Sequence, residues 1–541
     1  MQGLMMDVPL MISSLIRHAD RYHGDTEIVS RTVEGPIHRY TYRDAHARAR
    51  QLVRALSRLG VAPGDRVGTL AWNGYRHFEL YYAISGMGAI THTINPRLFH
   101  EQLAYIIGDA EDAIVFFDLT FTPLVEKLAA TCTRVKHWVA MTDRDHRPQA
   151  AIPGLSCYED LLAAESDDFD WPEFDENTAA ALCYTSGTTG KPKGVLFSHR
   201  STILHAYAIS LPDTKGLSAS SSVLAIVPMF HVNAWGIPYA GPLVGCKLVF
   251  PGGALDGASL YELIEAEGVD STSAVPTVWM NLINYMQQNK LKFSTLKHTT
   301  IGGAACPAAM IKTLSEDFGV RVMHGWGMTE MSPVGTLNAP KAKHRGLSKD
   351  ARFQLSLKQG RPLYGVEMKI VDAEGRELPR DGKSAGNLLV RGPWILRRYY
   401  KDAGGDPLTP DGWLPTGDVG TIDADGYLQI TDRSKDVIKS GGEWISSIEL
   451  ENIAVGHPGV MEAAVIGVRH PKWDERPLLV VVKRPGADLT KEALLKFYDG
   501  KVAKWWLPDD VVFVDELPHT ATGKLSKLTL RERFKDYRLP A

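Results

Sequence analysis

Tyr184-Thr-Ser-Gly-Thr-Thr-Gly-Lys-Pro-Lys-Gly194 is the stretch from which the fold and the chemistry of this chain are first read. Three glycines, four Ser/Thr hydroxyls and two lysines fall within eleven residues. Such a loop can turn backbone N–H groups, hydroxyls and ammonium groups toward a polyphosphate. Apolar residues precede it (Ala179 to Tyr184) and follow it (Val195-Leu-Phe197), which predicts strand–loop–strand. A Walker A loop would need glycine at 185 and Ser or Thr at 192. The chain has Thr185 and Pro192, and no helical pattern follows directly.

The surrounding chain sets the scale. Its 541 residues exceed one compact core, so two or more domains are expected. It is 44% apolar and 23% charged, with net charge −3, and nothing in this favours nucleic acid or an anionic membrane over a small-molecule substrate. The five cysteines (Cys132, Cys157, Cys183, Cys246 and Cys306) are odd in number and widely spaced, without C-x-x-C. They are expected to be buried structural thiols in a reducing cytoplasm. Met1 to Leu10 lacks the basic and apolar regions of a secretory signal, and no apolar run reaches membrane-spanning length.

Strands and helices are predicted to alternate through the first 400 residues. Arg43 to Leu59 carries helical spacing and stops at Gly60. Arg66–Ala71, Ala113–Phe117, Ser222–Val227 and Lys247–Phe250 read as buried strands. After about residue 430 the pattern changes. Asp436–Lys439 and Glu443–Ile445 flank Ser440-Gly-Gly442 as a hairpin, and Ser446-x-x-Glu449 is a capping box opening a helix. Leu494, Tyr498, Val502 and Trp505 share one helical face. The fold class is α/β, with a large N-terminal domain (1–434) of several subdomains and a small α+β domain (435–541). The junction is too short to be a loose tether.

More segments carry chemistry. Gly302-Gly303-Ala304 follows Thr300-Ile301, where paired glycines let backbone approach a flat ring. Gly325-Trp326-Gly327-Met328-Thr329-Glu330 joins an aromatic ring to a carboxylate suited to a hard cation. Gly412 to Asp418, Asp432-Arg433-Ser-Lys435-Asp436, Pro518 to Leu525 and Pro228 to Gly236 complete the set.

Together these segments resemble, in order, the motifs of the acyl-adenylate-forming superfamily: acyl-CoA synthetases, peptide-synthetase adenylation domains and beetle luciferases. The resemblance covers essentially the full chain. It implies that ATP or AMP is bound by Thr185, Ser186, Gly187, Thr188, Thr189, Gly190 and Lys191. By the same resemblance the purine lies by Gly302, Gly303, Ala304, Gly325, Trp326, Gly327 and Met328, with Thr329 on the α-phosphate. Trp326 stands where the family has tyrosine, and either ring can stack on adenine. Asp418 is implied to accept from both ribose hydroxyls, and Arg433 to contact ribose and phosphate. Mg²⁺ would be held by Glu330 and Thr185. The implied acyl pocket is formed by His231, Val232, Trp235 and Gly303, with His231 and Glu330 catalytic beside the mobile lysine Lys524. Lys435 matches the hinge, and Lys439, Ser440, Gly441, Gly442 and Trp444 would flank the path of coenzyme A.

The implied activity is an AMP-forming acid–CoA ligase that uses ATP, Mg²⁺ and coenzyme A. Met229–Gly236 and Leu347–Pro362 resemble the branch of bacterial medium-chain acyl-CoA ligases, which includes ligases of 3-(methylthio)propanoate. A short-to-medium aliphatic acid, that thioether acid first, is therefore expected; medium- and long-chain fatty acids are the alternative. Another enzyme sharing only the adenylation step, such as a carrier-loading ligase or luciferase-like oxygenase, stays open. So does a non-catalytic nucleotide-binding protein, although Lys524, Glu330 and Asp418 together speak against it. No nucleic acid or integral membrane partner is expected, and the oligomeric state, a homodimer included, is left open.

Overall fold

The protein is described by a computed structural model covering residues 1, 3–185, 191–441, 443–520 and 525–540. Among the described residues the strands form four sheets. A seven-stranded sheet is parallel through its first six strands, from Leu155–Cys157 to Ala179–Tyr184. Its edge strand Gly194–Ser198 returns antiparallel to Ala179–Tyr184. The strand–loop–strand reading of the opening motif therefore holds. Ile114–Phe117 is buried at every residue, as a central parallel strand covered on both faces must be.

A nine-stranded sheet lies beside it, and its parallel centre includes Ser271–Ala274, His298–Ile301 and Arg321–Gly327. The two sheets share one core, in which Tyr81, Cys183, Val195, Val227, Met229 and Leu248 are buried together. Helix Tyr42–Arg58 shows how locally this layering is written. Thr41 accepts from Asp44 N, and the Asp44 carboxylate accepts from Thr41 N at 2.9 Å. Ala45, Ala49, Leu52 and Leu56 form the buried face, and Gly60 at φ +86° ends the run.

Two expectations are corrected. Alternation does not persist to residue 400: from Glu367 to Arg433 four strands follow one another in an antiparallel sheet. The face of Leu494, Tyr498, Val502 and Trp505 is also not one helix. The helix is Lys491–Phe497, Gly500 adopts φ +73°, and Trp505 lies in a separate 3₁₀ turn, Lys504–Trp506.

The small C-terminal domain has its own five-stranded sheet and its own core of Ile438, Ile445, Leu450, Val465, Leu479 and Val511. Its first hairpin pairs Ile438–Ser440 with Glu443–Ile445, as expected. Ser446 caps helix Ser447–Val455 by accepting from Glu449 N at 3.1 Å. Among the described residues, no helix is long and apolar enough to cross a membrane.

Candidate active site

The opening loop is closed at its base by two bonds. Thr185 N donates to Lys193 O at 2.9 Å, and Lys193 N donates to Thr185 Oγ1 at 3.1 Å. Ser186, Gly187, Thr188, Thr189 and Gly190 lie outside the described residues. Thr185, Lys191 and Lys193 line a cavity of about 410 Å³. That cavity is where the scattered motifs meet. Gly302, Gly303, all residues from Gly325 to Glu330, Arg433, His231, Val232 and Trp235 also line it. Ala304 does not: it is exposed, one residue beyond the turn at which Gly303 takes φ +78°.

The glycines act by absence of bulk. A Cβ on Gly302 would stand 2.9 Å from Gly325 O and 3.3 Å from Trp235 Cη2. One on Gly327 would stand 2.0 Å from Pro333 O, where the Arg321–Gly327 strand shifts register against Val334–Leu337.

Trp326 and Asp418 are coupled in a way the sequence did not reveal. The Trp326 indole N–H donates to Asp418 Oδ2 at 2.8 Å, and Arg433 Nε lies 3.0 Å from Asp418 Oδ1. Asp418 itself does not line the cavity, which Gly417 and Arg433 reach, and it is only 4% exposed. Each carboxylate oxygen thus already has one protein partner and keeps a second acceptor site.

Glu330 sits in the 3₁₀ turn Thr329–Met331, and its Oε1 accepts from Tyr399 OH at 2.7 Å. Among the described residues, Oε2 accepts no hydrogen bond. The Lys193 ammonium lies 4.7 Å from the Tyr399 ring centre. Tyr399 and Arg97 line the cavity and were missed by sequence reasoning. Neither stands in a motif with chemical spacing, so no sequence signal was there to find them.

The wall that carries His231, Val232 and Trp235 is strained. Val232, Asn233, Ala234 and Trp235 have φ of 47°, 52°, 51° and 52°, and Gly236 follows at 81°. Left-handed backbone costs an L-residue about 1–2 kcal/mol, so four in succession must be held from outside. Asn73 fixes the segment that leads into the turn. Its side chain accepts from Met229 N at 2.6 Å and donates to Ala225 O and Val227 O. Tyr81 OH donates to Met229 O and to Asn233 Oδ1. His231, at the head of the turn, is half-buried, and its N donates to Pro228 O at 3.0 Å.

Other expected positions lie elsewhere. Lys439, Ser440, Gly441 and Trp444 do not line the cavity in this arrangement, and Gly442 and Lys524 lie outside the described residues. Lys435 occupies the third position of a turn closed by Asp436 N donating to Arg433 O at 2.8 Å. Across this junction Asp432 Oδ2 accepts from Ser447 N at 2.7 Å and from Ser447 Oγ at 2.6 Å. Arg531 Nη1 lies 2.5 Å from Asp436 Oδ1. The five cysteines are buried and free. Burial pushes the Cys183 thiol up to about 12, which removes it as a nucleophile.

The family profile described as AMP-binding enzyme matches residues 15–400, and that described as AMP-binding enzyme C-terminal domain matches 449–524. The chain belongs to the AMP-binding enzyme family. This AMP-binding enzyme is 55% identical over 538 residues to a 3-methylmercaptopropionyl-CoA ligase of Ruegeria lacuscaerulensis, with 99% of each chain covered. It is 51% identical over 536 residues to a medium-chain-fatty-acid–CoA ligase of Ectopseudomonas oleovorans, covering 99% of this chain and 98% of the other. Its fold matches that of an anthranilate CoA ligase in complex with anthranoyl-AMP, at a TM-score of 0.87, 26% identity and 98% coverage of both chains. It is mixed α/β, with a large N-terminal and a small C-terminal domain, like other adenylate-forming enzymes.

Proposed function

We propose that this chain is an ATP-dependent, AMP-forming acid–CoA ligase for a short-to-medium aliphatic acid, with 3-(methylthio)propanoate the first substrate to test. The observation that carries the reading is the single cavity lined by the loop base, the Trp326–Glu330 segment, Arg433 and the His231–Trp235 wall. Relatives above 50% identity over nearly the whole chain are ligases of that thioether acid and of medium-chain fatty acids. The five buried free cysteines support a reducing, cytoplasmic setting.

In the first step a carboxylate oxygen attacks the α-phosphorus in line, and the bond to the β-phosphate oxygen breaks to release pyrophosphate. In the second the thiol of coenzyme A attacks the acyl carbonyl, and AMP leaves with the bonding pair. The protein's part is positioning and charge stabilisation. Trp326 and the flat Gly302–Gly303 surface take adenine, and Asp418 uses its two remaining acceptor sites on the ribose. Thr329 and the loop donors face phosphate. A cation fits here in one respect: Glu330 offers a carboxylate oxygen with no hydrogen bond, and Mg²⁺ is commonly held by one carboxylate plus substrate phosphates. Glu330 and Thr185 would hold it, and when bound it supplies neutralisation of phosphate charge.

Trp235 limits the length of the acid. It lines the cavity at 8% exposure and meets Gly302 across it. Trp235→Ala is expected to lower kcat/KM for 3-(methylthio)propanoate and raise the relative rate of longer fatty acids. Discrimination by one methylene is worth only about 1–3 kcal/mol, so a full series of acids has to be compared. An unchanged chain-length profile would make Trp235 ordinary core.

We place the domain boundary and pivot at Lys435. The two steps need different groups at one site, Lys524 and then the Lys439–Trp444 hairpin, and a few residues at an element end can absorb such a rotation. Proline at the third position of this turn drives Ser434 out of helical backbone. Lys435→Pro is expected to shift the ratio of pyrophosphate exchange to thioester formation from supplied acyl-AMP by roughly tenfold, about 1.4 kcal/mol between the two arrangements. Equal change in both half-reactions would exclude Lys435 as pivot.

The overall reading is tested by incubating a panel of carboxylic acids with ATP and coenzyme A and weighing the products. Failure to form any acyl-CoA or AMP would reject it. Product with fatty acids but none with the thioether acid would favour the fatty-acid alternative.

A further inference from the structure

Arg97 enters the same cavity from its rim. It stands in the turn after strand Ile90–Thr93. That strand runs parallel beside Ala179–Tyr184, with Thr93 opposite Cys183. The two chains therefore leave the sheet side by side at their carboxyl ends, one into Arg97 and the other into Thr185. Ligands of open α/β sheets collect at such ends.

The turn is built to hold this position. Asn95 Oδ1 accepts from Arg97 N at 3.0 Å, and Leu98 N donates to Asn95 O at 3.2 Å. The guanidinium lies 5.9 Å from the ring centres of both Trp72 and Phe230. Helix His100–Ala110, which follows the turn, carries Tyr105, and the Lys191 ammonium lies 5.2 Å from the Tyr105 ring centre. Arg97, Lys191 and Lys193 thus bring three cationic side chains to the lining of one cavity.

Arg97 is exposed, and its charge is placed differently from those of the more buried arginines nearby. Arg48 and Arg76, in the same domain, lie 2.7 Å from Glu79 and Glu34. Among the described residues, no carboxylate pairs with Arg97 and nothing accepts a hydrogen bond from its side chain. Arg97 is exposed and lines the cavity, so its guanidinium is open to an anionic ligand there, and its planar fork of donors matches phosphate oxygens.

We propose that Arg97 binds a diphosphate anion at the end of the cavity where the loop base lies, the first choice being the pyrophosphate released from ATP. The inference rests on the proposed adenylation. The diphosphate of coenzyme A presents the same chemistry and is the second source.

Pyrophosphate exchange is measured with acid and ATP for the wild type, Arg97→Gln and Arg97→Lys. Thioester formation is measured separately from supplied acyl-AMP. Arg97→Gln is expected to raise KM for pyrophosphate and ATP about tenfold or more, the loss of one charge-assisted contact, with KM for the acid unchanged. Arg97→Lys is expected to recover part of it. A rise confined to KM for coenzyme A would keep the diphosphate site and assign it to that substrate. Unchanged KM for all three, or a fall in kcat alone, would overturn the proposal. Absence of exchange in the wild type would instead reject adenylation itself, so the two failures are told apart.

Discussion

Asp418→Ala is expected to reduce kcat/KM for ATP by about 10²–10⁴-fold, because two charge-assisted hydrogen bonds to a ribose are each worth about 1.5–3 kcal/mol. The loss extends to the site itself. The carboxylate ties the Trp326 indole N–H to Arg433, and without it neither group is held. Ring and guanidinium would then have to be ordered at the moment of binding. Asp418→Asn is expected to be nearly as damaging. An amide has one acceptor oxygen, so its NH₂ must face either the indole donor or the guanidinium. ATP titrations read by exchange, alongside thermal melting, separate binding from folding. Unchanged ATP affinity in a folded Asp418→Ala protein would reject the ribose assignment.

The second large effect is expected at Lys524. Lys524→Ala should slow acyl-AMP formation by roughly 10²–10³, the usual worth of one preorganised electrostatic donor. Thioester formation from supplied acyl-AMP should stay close to normal. The ammonium matters while negative charge builds on the phosphate oxygens, and the later attack on a carbonyl has no such need. Equal loss of both half-reactions in a folded variant would remove Lys524 from this role.

The sequence carried the contents of this site better than its wiring. Thr185 and Lys191 at the loop base, Gly302–Gly303, Trp326 to Glu330, His231, Val232 and Trp235 could be picked out as lining one cavity because their chemistry is local: glycines where backbone must come close, hydroxyls and carboxylates in short runs. Strand boundaries followed from apolar runs such as Ile114–Phe117. The contacts that complete the site were not legible. Trp326 and Asp418 are 92 residues apart, Tyr399 and Glu330 are 69 apart, and each pair meets only through sheet geometry. Arg97 belongs to no motif, and it reaches the cavity only because its strand pairs beside the one that leads to Thr185. The continuous helix expected through Trp505 failed because periodicity outran a glycine at φ +73°.

The left-handed turn at Val232–Trp235 bears on how this enzyme could change its diet over generations of mutation. Side chains along a helix or strand can be exchanged with little consequence for the main chain. Here each replacement also alters how readily the backbone keeps an unfavourable shape. Glycine would relax the turn and make the protein sturdier while loosening the wall against which an acid is measured. Another β-branched residue would press the other way. If the turn lines the acid pocket as proposed, new acid preferences are reached more easily from outside it, through the other side chains that line the cavity. The short wall itself acts as a fixed gauge around which the rest of the pocket is free to drift.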